Sequence, residues 1–303
     1  MTMRRLPVPL AALVAALALA ASGCGGSQTA IPELASLTQV ASTSAATETA
    51  KFAMTFEMNL PGADQSLSFG AEGGFDTPAK RSRIEVDLSS LAELMKQVGS
   101  GLGGTVTGDL GDPSDWKLEA IMDGQVVYLH FPLIAKELPD GKTWIKGDAD
   151  DFSQTGTAGL DQFGSFSGMD PRDVFGFLKA VSGSIEVVGS EEVRGVPTSH
   201  YRTTLDPAKL TDLVPAEQRK TLSGVDEAAR QAGLTELPLD VWIDADQRIR
   251  KLSIELDAKM PGSTESVQGS LVVELYDYGV PLELDLPPAD QVADAATLKP
   301  KTS

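Results

Sequence analysis

The chain has 303 residues with one cysteine and two histidines, and 25 Lys and Arg stand against 43 Asp and Glu for a formal net charge of -18. That charge argues against nucleic-acid binding, which depends on neutralising phosphates with Lys and Arg, and a lone cysteine excludes an internal disulfide framework. Stability must come from an ordinary apolar core, which a chain of this length can build.

The first 23 residues read as a secretory signal. Arg4 and Arg5 supply the positive start, Leu10–Ala21 is an unbroken run of Ala, Leu and Val, and Ala21-Ser22-Gly23 places small residues before Cys24. The run is short for a bilayer span, which needs ~20 apolar residues. Ala-Ser-Gly-Cys resembles the lipobox of lipoprotein processing, with Ala where Leu is usual. Cys24 is therefore the expected lipid attachment site, and acyl chains such as palmitate would tether the exported protein to the outer face of the cell membrane. The ordinary alternative is a cleaved signal with an incidental cysteine. Loss of the two leader arginines takes the formal charge from -18 to -20, so the body stays soluble beside an anionic surface.

Residues 24–49 read as a lipidated tether and a first helix, with Pro32 near its start and Leu34, Leu37, Val40 and Ala41 behind it. Lys51–Asn59 then alternates fully, with Phe52, Met54, Phe56 and Met58 on one face. Gln65–Phe75 (Leu67, Phe69, Ala71, Phe75) and Lys80–Leu88 (Ile84, Val86, Leu88) continue an antiparallel meander, with turns at Pro61-Gly62 and Thr77-Pro78. Ser90-Leu91-Ala92-Glu93 reads as a capping box opening a helix with the stripe Leu91, Leu94, Met95 and Val98, stopped at Gly99.

Gly99–Asp115 is a glycine-rich loop. Trp116–Met122 and Gln125–Phe131 form a hairpin across Asp123-Gly124, and Lys142–Lys146 adds a short strand. After a second glycine-rich loop, Gly147–Met169, Asp170-Pro171 opens a helix with Val174, Phe175, Leu178 and Val181 on one side. Ile185–Val193 and Val196–Asp206 turn at Arg194-Gly195. Pro215–Ala232 reads as a weakly amphipathic helix. Leu237–Asp244, Gln247–Ala258 and Val267–Tyr278 are the last strands, and 281–303 a flexible, largely unordered tail.

Ten or eleven strands in two runs, each with helices and without βαβ alternation, predict an α+β fold. The best fit is one large, bent antiparallel sheet, a half-barrel with helices on its concave face, spanning 50–280. Two smaller domains joined near 147–169 are the alternative.

Three stretches carry a family resemblance: Val126-Val127-Tyr128-Leu129 with Gly141-Lys142-Thr143-Trp144, then residues 188–201 (VGSEEVRGVPTSHY), then Val241-Trp242-Ile243-Asp244-Ala245-Asp246. The chain resembles the LppX/LprG-like envelope lipoproteins, related in shape to the LolA carriers. That resemblance implies a half-barrel wrapped around an apolar cavity and, as a ligand, a lipid or glycolipid. The two glycine-rich loops match no feature of the family.

Catalytic patterns are scarce. His130 and His200 both fall in strands. Gly164-Ser165-Phe166-Ser167-Gly168 fails as a nucleophile elbow because its centre is Phe166. Ser114-Asp115-Trp116-Lys117 has Ser-x-x-Lys spacing without a partner motif. Asp148, Asp150 and Asp151 fail as an EF-hand, since Ser153 and Gly159 stand where Gly and Glu are needed. No enzyme, cofactor or metal site is expected. The functional expectation is a lipid or other amphiphile held in an apolar cavity lined by Phe52, Met54, Phe56, Met58, Leu67, Phe69, Leu91, Leu94 and Met95. The rival is a filled-core interaction module that docks an envelope protein partner.

Overall fold

The computed structural model describes residues 34–59, 66–101, 111–136, 138–148, 151–152, 171–207, 209, 234–259 and 266–298. The signal sequence with Cys24, the turn at Pro61-Gly62, residues 102–110 and 153–170 of the two loops, the helix expected over 215–232 and residues 299–303 lie outside them.

Strand β1 (Thr49–Asn59) is the centre of the molecule. Its alternation gives it one apolar edge-to-edge face, and it pairs on both sides. On one side comes β2 (Leu67–Asp76), with Phe52 opposite Gly73, Met54 opposite Ala71 and Phe56 opposite Phe69. On the other comes β11 (Ser266–Tyr276), with Phe52 opposite Leu275, Met54 opposite Val273 and Phe56 opposite Leu271. The first and last strands of the two runs therefore meet, which joins them into one sheet and removes the two-domain alternative.

From β2 the sheet continues antiparallel through β3 (Arg81–Asp87), β4 (Lys117–Asp123), β5 (Val126–His130) and β6 (Trp144–Gly147). From β11 it continues through β10 (Ile249–Lys259), β9 (Leu237–Asp244), β8 (Val196–Leu205) and β7 (Glu186–Val193). A twelfth strand, β12 (Val292–Asp294), pairs parallel with β6. The order β12-β6-β5-β4-β3-β2-β1-β11-β10-β9-β8-β7 ends on two different strands, so the sheet is an open half-barrel and the class is α+β.

Register carries one apolar face across the sheet. Ile145, Leu129, Ala120, Ile84, Gly73, Phe52 and Leu275 stand opposite one another from β6 to β11. On the β8–β11 half this face is covered by helix α1 (Leu34–Ala45) and by a 3-10 helix, Pro171–Ala180. Leu37, Val40, Phe175 and Leu178 are sealed there against Leu205, Leu239, Val241 and Leu275. Helix α2 (Ser89–Gly101) lies on β2, as its apolar stripe predicts.

Several expectations are corrected. The first helix expected within 24–49 forms as α1, and it belongs to the core: Ser44, fully buried, donates to Val40 O and accepts from Ile249 N, both at 2.9 Å. Helix α2 starts at Ser89, and its first acceptor is the Asp87 carboxylate, 2.9 Å from Ser89 N, in place of Ser90. An aspartate two residues ahead of an amide closes an Asx turn more readily than a capping serine does. The helix after Asp170 is 3-10 over Pro171–Ala180.

The tail is the largest correction. Residues 281–298 are ordered against the sheet and Val292–Asp294 join it: Arg81 donates to Leu284 O at 3.2 Å, Leu282 lies over the backbone at Gly74, and Val292 and Ala293 are buried in β12. Short apolar residues scattered through Pro-containing sequence carry no period, so pairing with β6 was invisible to patterning.

Turn chemistry follows the sequence closely. Arg194 (φ 49) and Gly195 (φ 77) are both left-handed, the requirement of a type I′ hairpin. In the β4–β5 hairpin the two loop residues are Gly124 (φ 64) and Gln125, one place beyond the expected Asp123-Gly124.

Candidate functional site

Among the described residues, the apolar face is sealed at one end and half-buried at the other. Along β1, Ala50 and Phe52 are buried and pack with Phe75, whereas Met54, Phe56 and Met58 are only half-buried. Their neighbours across the register behave alike. Leu67 and Phe69 on β2, Leu271 on β11, and Ile254 and Leu256 on β10 all keep part of their surface exposed. Phe56 and Phe69 stack with centroids 5.9 Å apart. Leu91, Leu94 and Met95 of α2 are half-buried too, while Ala92 between them is fully buried. Helix α2 thus touches the sheet through a small residue and leaves its larger apolar side chains incompletely covered. Phe52 belongs to a packed cluster, and each of the other eight expected lining residues is half-buried.

The polar face carries the charged chemistry. Arg202 holds buried Asp240 at 3.0 Å, and Asp240 also faces His200 Nε2. His200 Nδ1 lies 3.3 Å from Glu191, which accepts from Trp242 Nε1, and the His200 ring stacks on Trp242 with centroids 4.2 Å apart. With both ring nitrogens facing carboxylates, His200 ties β7, β8 and β9 together, and the arrangement is a clasp. His130 Nδ1 is 2.7 Å from Thr143 O, which ties β5 to the approach to β6.

Ser114 donates to Asp112 at 2.9 Å while Lys117 faces Glu85, so Ser-x-x-Lys spacing does not bring those two side chains together. Asp148 and Asp151 accept from each other's backbone amides at 2.9 and 3.1 Å, which closes the loop on itself. Asp150 and the Gly164–Gly168 stretch lie outside the described residues. Among the described residues no group of three or more His, Cys, Asp or Glu is arranged to hold a metal ion, and no helix is long and apolar enough to cross a membrane.

Below the α1 cap, Asp244 closes the β9–β10 turn. It accepts from Asp246 N and Arg248 N at 2.9 Å and pairs with buried Arg250 at 2.7 Å. The Arg250 and Arg248 guanidinium groups lie over the Tyr278 ring, whose hydroxyl donates to Ile249 O at 2.6 Å. Burial pushes the Tyr278 phenol well above its usual range, because the phenolate would lose its water.

Two cavities stand out. One, of about 1010 Å³, is a groove on the polar face over β3, β2, β1 and β11, bordered by Pro281–Leu284. The other, of about 440 Å³, lies at the far ends of β1, β9, β10 and β11. Sequence patterning missed the groove, since its walls come from five strands (β1–β4 and β11), Arg194 of the β7–β8 turn and the C-terminal crossing.

No family model matches the chain. The chain is similar to LppX. That lipoprotein of Mycobacterium tuberculosis shares 14% identity at a TM-score of 0.43, covering 83% of this chain and 97% of that one. LprF of Mycobacterium bovis shares 15% identity at a TM-score of 0.43, covering 83% and 96%. A stretch of 155 residues is 30% identical to an uncharacterized 31.2 kDa protein from the rplA-rplJ intergenic region of Streptomyces griseus, covering 51% of this chain and 48% of that protein. The chain thus matches about half the length of that curated relative.

Proposed function

We propose that this protein is an exported lipoprotein, anchored at the outer face of the cell membrane through Cys24, that holds a lipid or other amphiphile against the open end of its apolar face. The observation that carries the reading is the gradient along β1: the face is sealed at Phe52 and half-covered from Met54 to Met58, with α2 presenting a matching half-covered stripe. A monomer gains nothing from leaving stacked Phe56 and Phe69 partly in water, at ~25 cal/mol per Å² of apolar surface. An acyl chain laid along Phe56, Met58, Leu67 and Phe69 recovers that free energy, at ~0.8 kcal/mol per buried methylene. Methionines at 54, 58 and 95 suit a ligand of variable shape. The resemblance to the LppX/LprG-like lipoproteins points the same way.

The test uses the full chain with Cys24→Ala, secreted and purified without detergent. Native mass spectrometry followed by organic extraction should show a discrete added mass that extracts as lipid. Ala71→Phe, whose side chain enters the face opposite Met54, should abolish that mass while the protein stays folded. A clean apo mass that persists after incubation with envelope lipids would sink the proposal. Ala120→Phe is a poorer probe, because Ala120 packs against the closed cluster of Leu118, Leu129 and Ile145.

A further inference from the structure

The open sheet has two ends, and they are finished differently. At one end β12 offers only Val292–Asp294, bracketed by the 3-10 turns Ala289–Gln291 and Ala295–Thr297 with Pro288 just ahead. So short an edge, held between tight turns, is a poor template for another strand. At the other end β7 runs for eight residues, contains no proline, lysine or arginine, and has every residue but Val193 exposed. Among the described residues it pairs with β8 alone.

Register fixes which backbone groups of β7 face outward. The two-residue turn at Arg194-Gly195 makes Val193 and Val196 a hydrogen-bonded pair, and such pairs alternate along an antiparallel ladder. Glu191 with Thr198 and Gly189 with His200 are then bonded pairs, while Ser190 and Glu192 turn their N–H and C=O groups away from β8. Pro197, opposite Glu192, has no N–H to give in any case. The register shifts between Val187 and Gly189, and at that irregularity Val187 and Val188 are 40% and 48% exposed.

Side chains restrict what can pair there. Glu191 is engaged by Trp242 and His200, but among the described residues Glu186 and Glu192 hold no cation. The two nearby arginines are taken, Arg202 by Asp240 and Arg194 by Glu274. A second copy of this chain, of net charge -18, would set the same glutamates against these, and like charges across strands are destabilising. A cationic strand instead finds a counter-charge at each end of the edge and apolar contact at Val187 and Val188. Strand addition draws affinity from the main chain and selectivity from alternate side chains, and β7 supplies both. We infer that β7 docks an extended, cationic segment of a partner protein, which adds antiparallel as the next strand of the sheet.

The test titrates the ¹⁵N-labelled Cys24→Ala chain with a blocked heptapeptide, Lys-Arg-Thr-Val-Thr-Val-Lys. Two controls accompany it: the same peptide with every backbone nitrogen methylated, and Glu-Asp-Thr-Val-Thr-Val-Glu. Saturable shifts and slowed exchange of the Ser190 and Glu192 amides are expected with the first peptide, at least tenfold tighter than with either control. Ser190→Pro removes an N–H that β8 does not use, and should weaken binding at least tenfold with an unchanged melting temperature. Should Ser190→Pro melt early, the pair Glu186→Lys and Glu192→Lys decides, and it should reverse the preference between the cationic and acidic peptides. No binding of the cationic peptide, or equal binding of either control, overturns the inference. So do shifts centred on the Glu72 and Glu283 groove in place of β7, binding that survives Ser190→Pro in a folded chain, or a preference that charge reversal leaves unchanged. Self-association of the free chain that Ser190→Pro abolishes would assign the edge to a second copy and overturn it too. None of these readouts involves lipid loading at the apolar face.

Discussion

Ser44 shows how much one side chain can carry. Its hydroxyl sits in the last turn of α1, donates back to Val40 O and accepts the amide of Ile249, the first residue of β10. Ser44→Ala would leave the Ile249 N–H buried without an acceptor, a loss of about 1–3 kcal/mol that chemical denaturation should read as a lower midpoint at unchanged slope. Asp87 is a second case, testable by pH. Its carboxyl is held below its ordinary value first by the Ser89 side-chain hydrogen bond and then by the Ser89 amide. The sign follows from that depression. The carboxylate's contribution is fully present above the unfolded value near ~3.9 and is lost as pH falls through the lower folded value. Asp87→Asn should therefore flatten the acid limb of the stability profile below about pH 4, and an unchanged limb would show that the turn adds nothing.

At the scale of elements, the sealed part of the apolar face on β9 and its half-covered part on β1 should respond differently to truncation. Leu239, fully buried beneath α1 and the 3-10 helix, should cost about 2–5 kcal/mol on replacement by Ala. Phe56 is half-buried, and Phe56→Ala should cost clearly less stability while reducing amphiphile loading. Equal stability losses at the two sites would show that the open end is ordinary core. The β9–β10 turn is the other element with a sharp expectation. Asp244→Ala strips two backbone amides and the buried Arg250 of their acceptor, and removing one partner of such a pair costs about 3–5 kcal/mol. Thermal melting should register it as one of the largest single-site losses in the chain.

For the whole molecule, the decisive feature is that one sheet serves two environments. The apolar face is closed by α1 and the 3-10 helix over β8–β11 and only partly by α2 over β2, while the polar face is laced by cross-strand ion pairs and crossed by residues 281–284. Anchoring belongs to this scale as well. Cys24→Ala should move the protein from the membrane fraction to the soluble fraction and abolish metabolic labelling with palmitate. Retention in the membrane would remove the anchor reading and leave the sheet readings untouched.

The strands, hairpin turns and apolar face were legible in the sequence because each is a local matter: alternation at period two, or a glycine where φ must be positive. Lys51–Asn59 named its inward residues before any partner was known, and Arg194-Gly195 named its turn. Pairing of β1 with β11 and the parallel seating of β12 on β6 were decided only in three dimensions, since each joins residues far apart in the chain that carry no record of one another. The same holds for the use of the two faces. Alternation tells which side chains share a side, but whether that side is sealed or left half-open depends on where a helix comes to rest, and Phe52 and Phe56 look identical until α1, the 3-10 helix and α2 are in place.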